Sequence, residues 1–258
     1  MTGGAHHGRR VVVTAGADGI GKSIAALLHE EGASVCIADV NEQQLGECQA
    51  QFPGMICRRA DVADVSDVDA VFDELLGEWG GVDALVNNVG IAGPTAPVEE
   101  VTAEDWERVM RVNIGAHFLC TRRAVPAMKS GGSIVNISST AGVMGYPLRA
   151  PYAASKWAVV GLTQTLAMEL GERRIRVNAV CPGSVDGARM ARVIAAESAA
   201  RGIAEQDLRR AYERQASMRT FVDAGDIANA VSFLISDRAR LVSGQVLCVD
   251  GNTETRTL

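Results

Sequence analysis

The sequence predicts an α/β domain, a doubly wound parallel sheet of seven strands with helices on both faces. Three observations predict it. Short apolar runs alternate with helix-period stretches along the whole chain of 258 residues, as when each crossover between parallel strands is a helix. A glycine-rich turn follows the first apolar run, Val11-Val12-Val13, and opens a helix. An acid, Asp39, closes the second run, SVCIAD, about 20 residues beyond those glycines, the spacing of a dinucleotide fingerprint.

The strands are expected at 10–14, 33–39, 54–59, 82–87, 132–138, 174–180 and 245–249. Helices are expected at 19–31, 41–50, 65–78, 104–129, 150–170 and 224–236. Val11 to Val13 form a continuous apolar run, as a strand buried on both faces requires. The helix after Gly16, Gly19 and Gly21 carries Ile24, Leu27 and Leu28 on one side. Thr102 and Asp223 each precede an acid by three residues, Asp105 and Asp226, and so mark helix starts. Glycines at such a turn let a pyrophosphate rest on the free N–H groups of the helix start. A carboxylate at Asp39 can accept hydrogen bonds from the adenosine ribose and repels a 2′-phosphate, which favours NAD. Asp39 also suits a helix-capping role.

Tyr152 and Lys156 lie one helical turn apart in PYAASKWAVVGLTQTLAMEL and so share a helix face. A free tyrosine ionises near pH 10, and a neighbouring ammonium brings it toward neutrality. Ser139 ends the apolar run SIVNISS. Together these residues offer a proton donor, its electrostatic tuner and a hydrogen-bond donor for a carbonyl oxygen.

With these residues in place, the chain resembles the short-chain dehydrogenase/reductase family in its compact, NAD(H)-preferring form. The resemblance runs from about Arg10 to about Asn252 and implies a single Rossmann-fold domain. Its motifs are TAGADGIG at 14–21, Asp61-Val62, NNVG at 87–90, Asn113 in RVNIGAHF, Ser139, Tyr152, Lys156 and Pro182-Gly183. It implies Tyr152 as general acid/base, Lys156 on the nicotinamide ribose, Ser139 on the substrate oxygen, and Asn113 supporting a proton-relaying water. It implies NAD contacts from Gly16, Asp18, Gly19, Ile20, Asp39, Pro182, Gly183 and Val185. Asp61 and Val62 would flank the adenine, and Asn87, Asn88 and Gly90 would line the cofactor. Three positions depart from the family pattern: Ala15 for its first glycine, Val89 for the alanine of NNAG, and Gly187 for a threonine.

The segment 184–222 is too long for an ordinary connection. Its spacing suggests helices at 187–200 and 205–216, parted near Gly202, and the resemblance makes it a substrate lid. Arg189, Arg192, Arg209, Arg210, Arg214 and Arg219 make it basic. One reading is a solvated face paired with Glu197, Glu205, Asp207 and Glu213. The other has Arg189, or Arg149 before Tyr152, holding an anionic substrate group through forked donors. Tyr146 and its neighbours Met144 and Leu148, with Pro94 and Thr95 opposite, shape the substrate pocket or merely pack. Trp79, Trp106 and Trp157 read as core or interface anchors.

A net charge of −6 argues against a nucleic-acid surface, and no apolar run reaches a membrane span. The opening MTGGAHHGRR lacks the apolar core of a signal peptide, so a cytoplasmic location is expected. His6 and His7 read as a mobile tail rather than metal ligands, and no metal site is expected. The six cysteines read as reduced, small hydrophobes, with Cys36, Cys181 and Cys248 in strands.

The expected function is an NAD(H)-dependent oxidoreductase interconverting hydroxyl and carbonyl on a small polar substrate, anionic if the arginines meet it. The alternatives are an NADPH-dependent 3-oxoacyl thioester reductase acting on a carrier protein, and a catalytically silent nucleotide-binding scaffold. Family analogy adds a homotetramer joined through helices 104–129 and 150–170 and the C-terminal strand.

Overall fold

The computed structural model of the chain describes residues 4–254. Among them seven strands form one parallel sheet: β1 (Arg10–Thr14), β2 (Ser34–Asp39), β3 (Ile56–Arg59), β4 (Val82–Asn87), β5 (Met128–Ile137), β6 (Arg176–Pro182) and β7 (Val246–Val249). Their spatial order is β3-β2-β1-β4-β5-β6-β7. The order reverses between β1 and β4, and ligands of open α/β sheets gather beyond the strand carboxyl ends at such a switch point.

Helices α1 (Gly19–Glu30), α2 (Glu42–Gln51), α3 (Val65–Trp79), α4 (Ala103–Met110), α5 (Ala116–Ala127) and α6 (Ala150–Glu169) follow in order. Then come the lid helices α7 (Ala188–Arg201) and α8 (Glu205–Gln215), and finally α9 (Ala224–Ile235). Short polar side chains start several of them. Asn41 accepts from the Gln44 N–H at 3.1 Å, and Thr102 accepts from the Asp105 N–H at 3.1 Å. At α9 the acid pair is reciprocal, with Asp226 accepting from the Asp223 N–H at 3.0 Å. Gly202, with φ +66°, ends α7 and turns the chain into α8.

Successive strand residues point to opposite faces, so the core is split by the sheet. Val11, Val13, Val35 and Ile37 pack with Ile24 and Leu28 of α1 and with Ile227, Val231 and Leu234 of α9. Val12, Leu85, Ile134 and Val177 pack on the other side with Phe72 and Leu75 of α3 and with Cys120 and Ala124 of α5. Each large apolar side chain buried here contributes about 1.5–3 kcal/mol, and the pairing of β1 with both β2 and β4 fixes where Thr14 and Ala15 emerge.

Two sequence expectations are corrected. The single helix expected at 104–129 is broken by a wide π turn at Arg111–Gly115, and β5 already begins at Met128. The turn is held by the Asn113 side chain, which bonds both backbone groups of Ile91, and such π turns cluster at functional sites. His6 is not a loose tail. It is 1% exposed, with Nε2 2.9 Å from the Ser232 Oγ and 3.2 Å from Glu31 Oε2, so it ties the N-terminal segment to α9. Cys36, Cys181 and Cys248 all lie in strands, the first two buried and Cys248 exposed on the edge strand β7. No helix among the described residues is long and apolar enough to cross a membrane.

Candidate active site

A cavity of about 520 Å³ opens at the carboxyl edge of β1, β4, β5 and β6. One end is the turn between β1 and α1. Its Asp18 caps α1 by accepting from the Gly19 N–H at 2.8 Å. Gly19 has φ +52°, and a Cβ there would meet nothing within 4 Å, so its backbone faces open space. Gly21 is the opposite case, since a Cβ would lie 2.1 Å from the Ala15 carbonyl oxygen and 2.5 Å from Asn88 Nδ2. Asn88 staples this turn to β4, donating from Nδ2 to the carbonyls of Thr14 (3.1 Å) and Ala15 (3.0 Å). The Thr14 hydroxyl accepts in return from the N–H groups of Asn88 and Val89.

Ala15, the residue in place of a family glycine, has φ +50°. A left-handed conformation costs a side-chain-bearing residue about 1–2 kcal/mol, partly offset by the smaller freedom alanine has when unfolded. Ala15→Gly is therefore expected to raise stability by about 0.5–1 kcal/mol. The check is a higher urea midpoint at unchanged m-value.

Asp39 lines the same cavity. Its carboxylate accepts from the Ala17 N–H and the Asn41 N–H, each at 3.1 Å. It braces the turn while Asn41 caps α2. The free glycine edge, the helix start and the carboxylate at the far end together fit a dinucleotide: phosphates on the α1 amides, ribose hydroxyls on Asp39.

The other end of the cavity is lined by Ser139, Tyr146, Arg149, Tyr152 and Lys156. Ser139 closes β5 and its Oγ accepts from the Ala141 N–H at 3.1 Å. Lys156 is 2% exposed, and its Nζ donates to the Ile137 carbonyl at 2.9 Å, which aims the ammonium at the end of β5. That ammonium lies 5.9 Å from the centre of the Tyr152 ring. Burial alone would push the Tyr152 phenol up. The charges of Arg189, Lys156 and Arg149 and the hydrogen bond with Ser139 outweigh it, so Tyr152 ionises below the ordinary tyrosine value. Burial pushes Lys156 down to about 8, against the opposing pull of the Tyr152 charge. This pair titrates as a unit. A phenol so placed forms its phenolate at lower pH than a free tyrosine, so it can serve as an acid or a base.

Most residues expected at the site do meet in this one cavity: Asp18, Gly19, Ile20, Asp39, Asn88, Gly90, Ser139, Tyr146, Arg149, Tyr152, Lys156, Pro182, Gly183, Val185 and Arg189 all line it. Others stand apart. Gly16 packs against the Ile37 side chain. Asn87 points into the sheet, where it bonds Thr121 and Asn136; the alternation of strand side chains leaves Asn88 to face the cavity. Asp61 and Val62 lie beyond β3 and do not line it, with Asp61 accepting from the Ala63 N–H at 3.0 Å. Asn113 is fully buried behind Gly90 and donates to Ser155 Oγ at 3.0 Å. Ser155 in turn donates to the Tyr152 carbonyl at 2.7 Å.

The lid closes over the Tyr146 side. Tyr146 and Tyr212 hydroxyls are 2.7 Å apart, and Tyr212 donates to Glu197 at 2.5 Å, so one buried chain of hydrogen bonds ties the wall of the cavity to α8 and α7. The lid arginines divide. Arg209 pairs with Asp186 and Arg210 with Asp207, which is the solvated-face reading, whereas Arg189 and Arg192 line the cavity.

Sequence reasoning missed His117. It is wholly buried, its Nε2 is 3.3 Å from the Val89 carbonyl, and burial, with Lys156 nearby, pushes it down to about 3. It is a neutral wedge behind the cavity, and its place four residues after Asn113 was the available signal.

A glycine cradle and a tyrosine–lysine pair at the switch point of a parallel sheet define a dinucleotide-binding oxidoreductase. Comparison with known proteins agrees. A family profile described as Enoyl-(Acyl carrier protein) reductase matches residues 14–252. The chain is 38% identical to trans-4-hydroxycyclohexanecarboxylate dehydrogenase of Sinomonas cyclohexanicum, over 93% of this chain and 90% of that protein. It is 34% identical to the 3-oxoacyl-[acyl-carrier-protein] reductase FabG of Staphylococcus epidermidis, over 94% of this chain and 98% of that one. Among solved structures, an actinorhodin polyketide ketoreductase variant with NADPH superposes with a TM-score of 0.90 at 31% identity, covering 95% of this chain and 96% of that one. The chain belongs to the short-chain dehydrogenase/reductase family.

Proposed function

We propose that this protein is an NAD(H)-dependent oxidoreductase that interconverts a hydroxyl and a carbonyl group on a small polar substrate, with Tyr152 as general acid/base. One observation carries the reading: Tyr152, ringed by three cations and ionising below its ordinary value, lines the same cavity as the glycine turn and Asp39. A nicotinamide bound there supplies the hydride chemistry. Everything else falls to the chain. The Ile20 amide at the start of α1 would hold the pyrophosphate, and Asp39 would hold the adenosine ribose. Lys156 sits where it can bind the second ribose while its charge lowers the Tyr152 ionisation. Ser139 holds the substrate oxygen, and Tyr152 Oη takes its proton in oxidation and returns one in reduction. Asn113 and Ser155 position the α6 turn that carries Tyr152; Asn113 also supports a proton path through Lys156.

The NADPH-dependent 3-oxoacyl reductase reading is favoured by two likenesses, the carrier-protein reductase FabG and the ketoreductase solved with NADPH. Against it stands Asp39, whose carboxylate a 2′-phosphate would have to face. Like charges so juxtaposed cost several kcal/mol, a preference on the order of 100-fold or more. Steady-state kinetics with NADH and NADPH should show that preference for NADH, and Asp39→Ala should erase most of it. A preference for NADPH in the wild-type protein would remove the NAD assignment.

The homotetramer belongs to the same reading. Trp106 on α4, Phe118 on α5 and Trp157 on α6 are 42%, 54% and 50% exposed, and Leu247 on the edge strand β7 is 37% exposed. These faces suit burial against other copies of the chain.

A further inference from the structure

The geometry points to Arg149, seconded by Arg189, as the receptor for a carboxylate on the substrate, and so to a short hydroxy acid and its oxo acid as the substrate pair. The inference rests on the oxidoreductase reading and adds the chemical class of what is turned over.

Arg149 is 4% exposed, a full charge taken out of water. A buried charge is normally paired, yet its partners here are neutral. Nη2 donates to the Ala92 carbonyl at 2.9 Å, Nη1 reaches the Thr95 hydroxyl at 3.4 Å, and the buried Nε has no partner. The guanidinium lies 5.6 Å from the Tyr146 ring centre and 5.3 Å from that of Tyr152. It therefore stands beside the proton donor, on the wall away from the glycine turn. The ion pairs of the lid, Arg201 with Glu197, Arg209 with Asp186 and Arg210 with Asp207, leave Arg149 and Arg189 out. Arg189 enters from the start of α7, and its charge reaches Tyr152.

A planar, forked donor that is partly unsatisfied, fixed by one backbone carbonyl and one hydroxyl and stacked between two tyrosines, is built for a bidentate oxyanion. The cofactor phosphates are served by the α1 end of the cavity, so the anion at this end belongs to the substrate. A cavity of about 520 Å³, shared with a dinucleotide, leaves room only for a short molecule. The closeness of Arg149 to the Tyr152 ring places the carboxylate a few bonds from the reacting carbon, as in a 2- or 3-hydroxy acid.

The test uses the whole protein saturated with NADH and malonate as an unreactive probe. Calorimetry should show malonate binding to the wild-type complex, weakened at least about tenfold in Arg149→Met, by the loss of a charge-assisted pair, and partly restored in Arg149→Lys. NADH affinity should stay within a few-fold throughout. Equal malonate binding in wild type and Arg149→Met, or none in wild type, would overturn the inference. Turnover gives the second arm, with short 2- and 3-hydroxy acids each compared with its primary amide. Wild type should prefer the acid, and Arg149→Met should lose that preference through KM, while the loss of its charge beside Tyr152 changes kcat on acid and amide by the same factor. If Arg149→Met instead lowers kcat on acid and amide alike and leaves the acid-over-amide preference in KM intact, the arginine serves only the phenolate and the inference falls. Brisk turnover of amides with no malonate site would sink the acid class alone. Failure to turn over any alcohol, despite malonate binding, would strike the oxidoreductase reading while leaving the anion site standing.

Discussion

Tyr152→Phe is expected to lower turnover by about 10³–10⁴-fold, the range of a lost general acid/base, while NADH binding changes by no more than a few-fold. The substitution removes one oxygen and no packing surface. The Tyr152 carbonyl, which accepts from Ser155 Oγ at 2.7 Å, is untouched, so the α6 turn keeps its place. The glycine turn and Asp39 lie at the opposite end of the cavity and are held by Asn88, Thr14 and the Ala17 N–H. What disappears is the group proposed to exchange the hydroxyl proton beside Ser139. Turnover on one alcohol or ketone, followed by NADH absorbance, checks it together with fluorescence titration of NADH. Residual turnover near the wild-type level would end the assignment.

Lys156→Met is expected to cost about 10²-fold or more in kcat/KM, as loss of a preorganised charge does, and to move the pH dependence of oxidation upward. Oxidation needs the phenolate, so its rate rises with pH through the Tyr152 ionisation. That ionisation is lowered in the folded protein, which places the rise below the ordinary tyrosine value of about 10. Removing the ammonium removes one of the charges that lower it, and the rise moves toward higher pH. Arg189 and Arg149 remain, so the shift is partial. Methionine keeps the length of the buried stem but not its bond to the Ile137 carbonyl. A pH–rate profile for both proteins reads the effect; an unchanged profile would separate Lys156 from the proton transfer.

The parts of this site that were legible in the sequence are those with a short-range rule behind them. Gly19, Asp39 and the Tyr152–Lys156 spacing report a turn, a strand end and a helix face, and each lies where its local pattern requires. The apolar runs were legible for the same reason, because a strand buried on both faces needs continuous apolar residues, and β1 carries Val11-Val12-Val13 between its ends. The rest depends on contacts between distant residues. Nothing local says that Asn113 will grip Ile91 and open a π turn in what reads as one long helix. The burial of His6 depends on Ser232 and Glu31, far along the chain. Asn87 and Asn88 are indistinguishable as letters, and only the strand register decides which one faces the cavity. The sequence already offers Arg149 as a candidate for holding an anionic substrate group, but its isolation from any carboxylate among the described residues is visible only when Ala92, Thr95 and Tyr146 close around it.

The central claim is that a phenol at position 152 is made acidic by the cations around it, at the mouth of a dinucleotide cradle. Ultraviolet difference titration of the folded protein, subtracting Tyr152→Phe from wild type, measures that ionisation alone. The account predicts a tyrosinate appearing below the free-tyrosine value and moving up in Lys156→Met. A difference spectrum with no tyrosinate until at or above that value would contradict it.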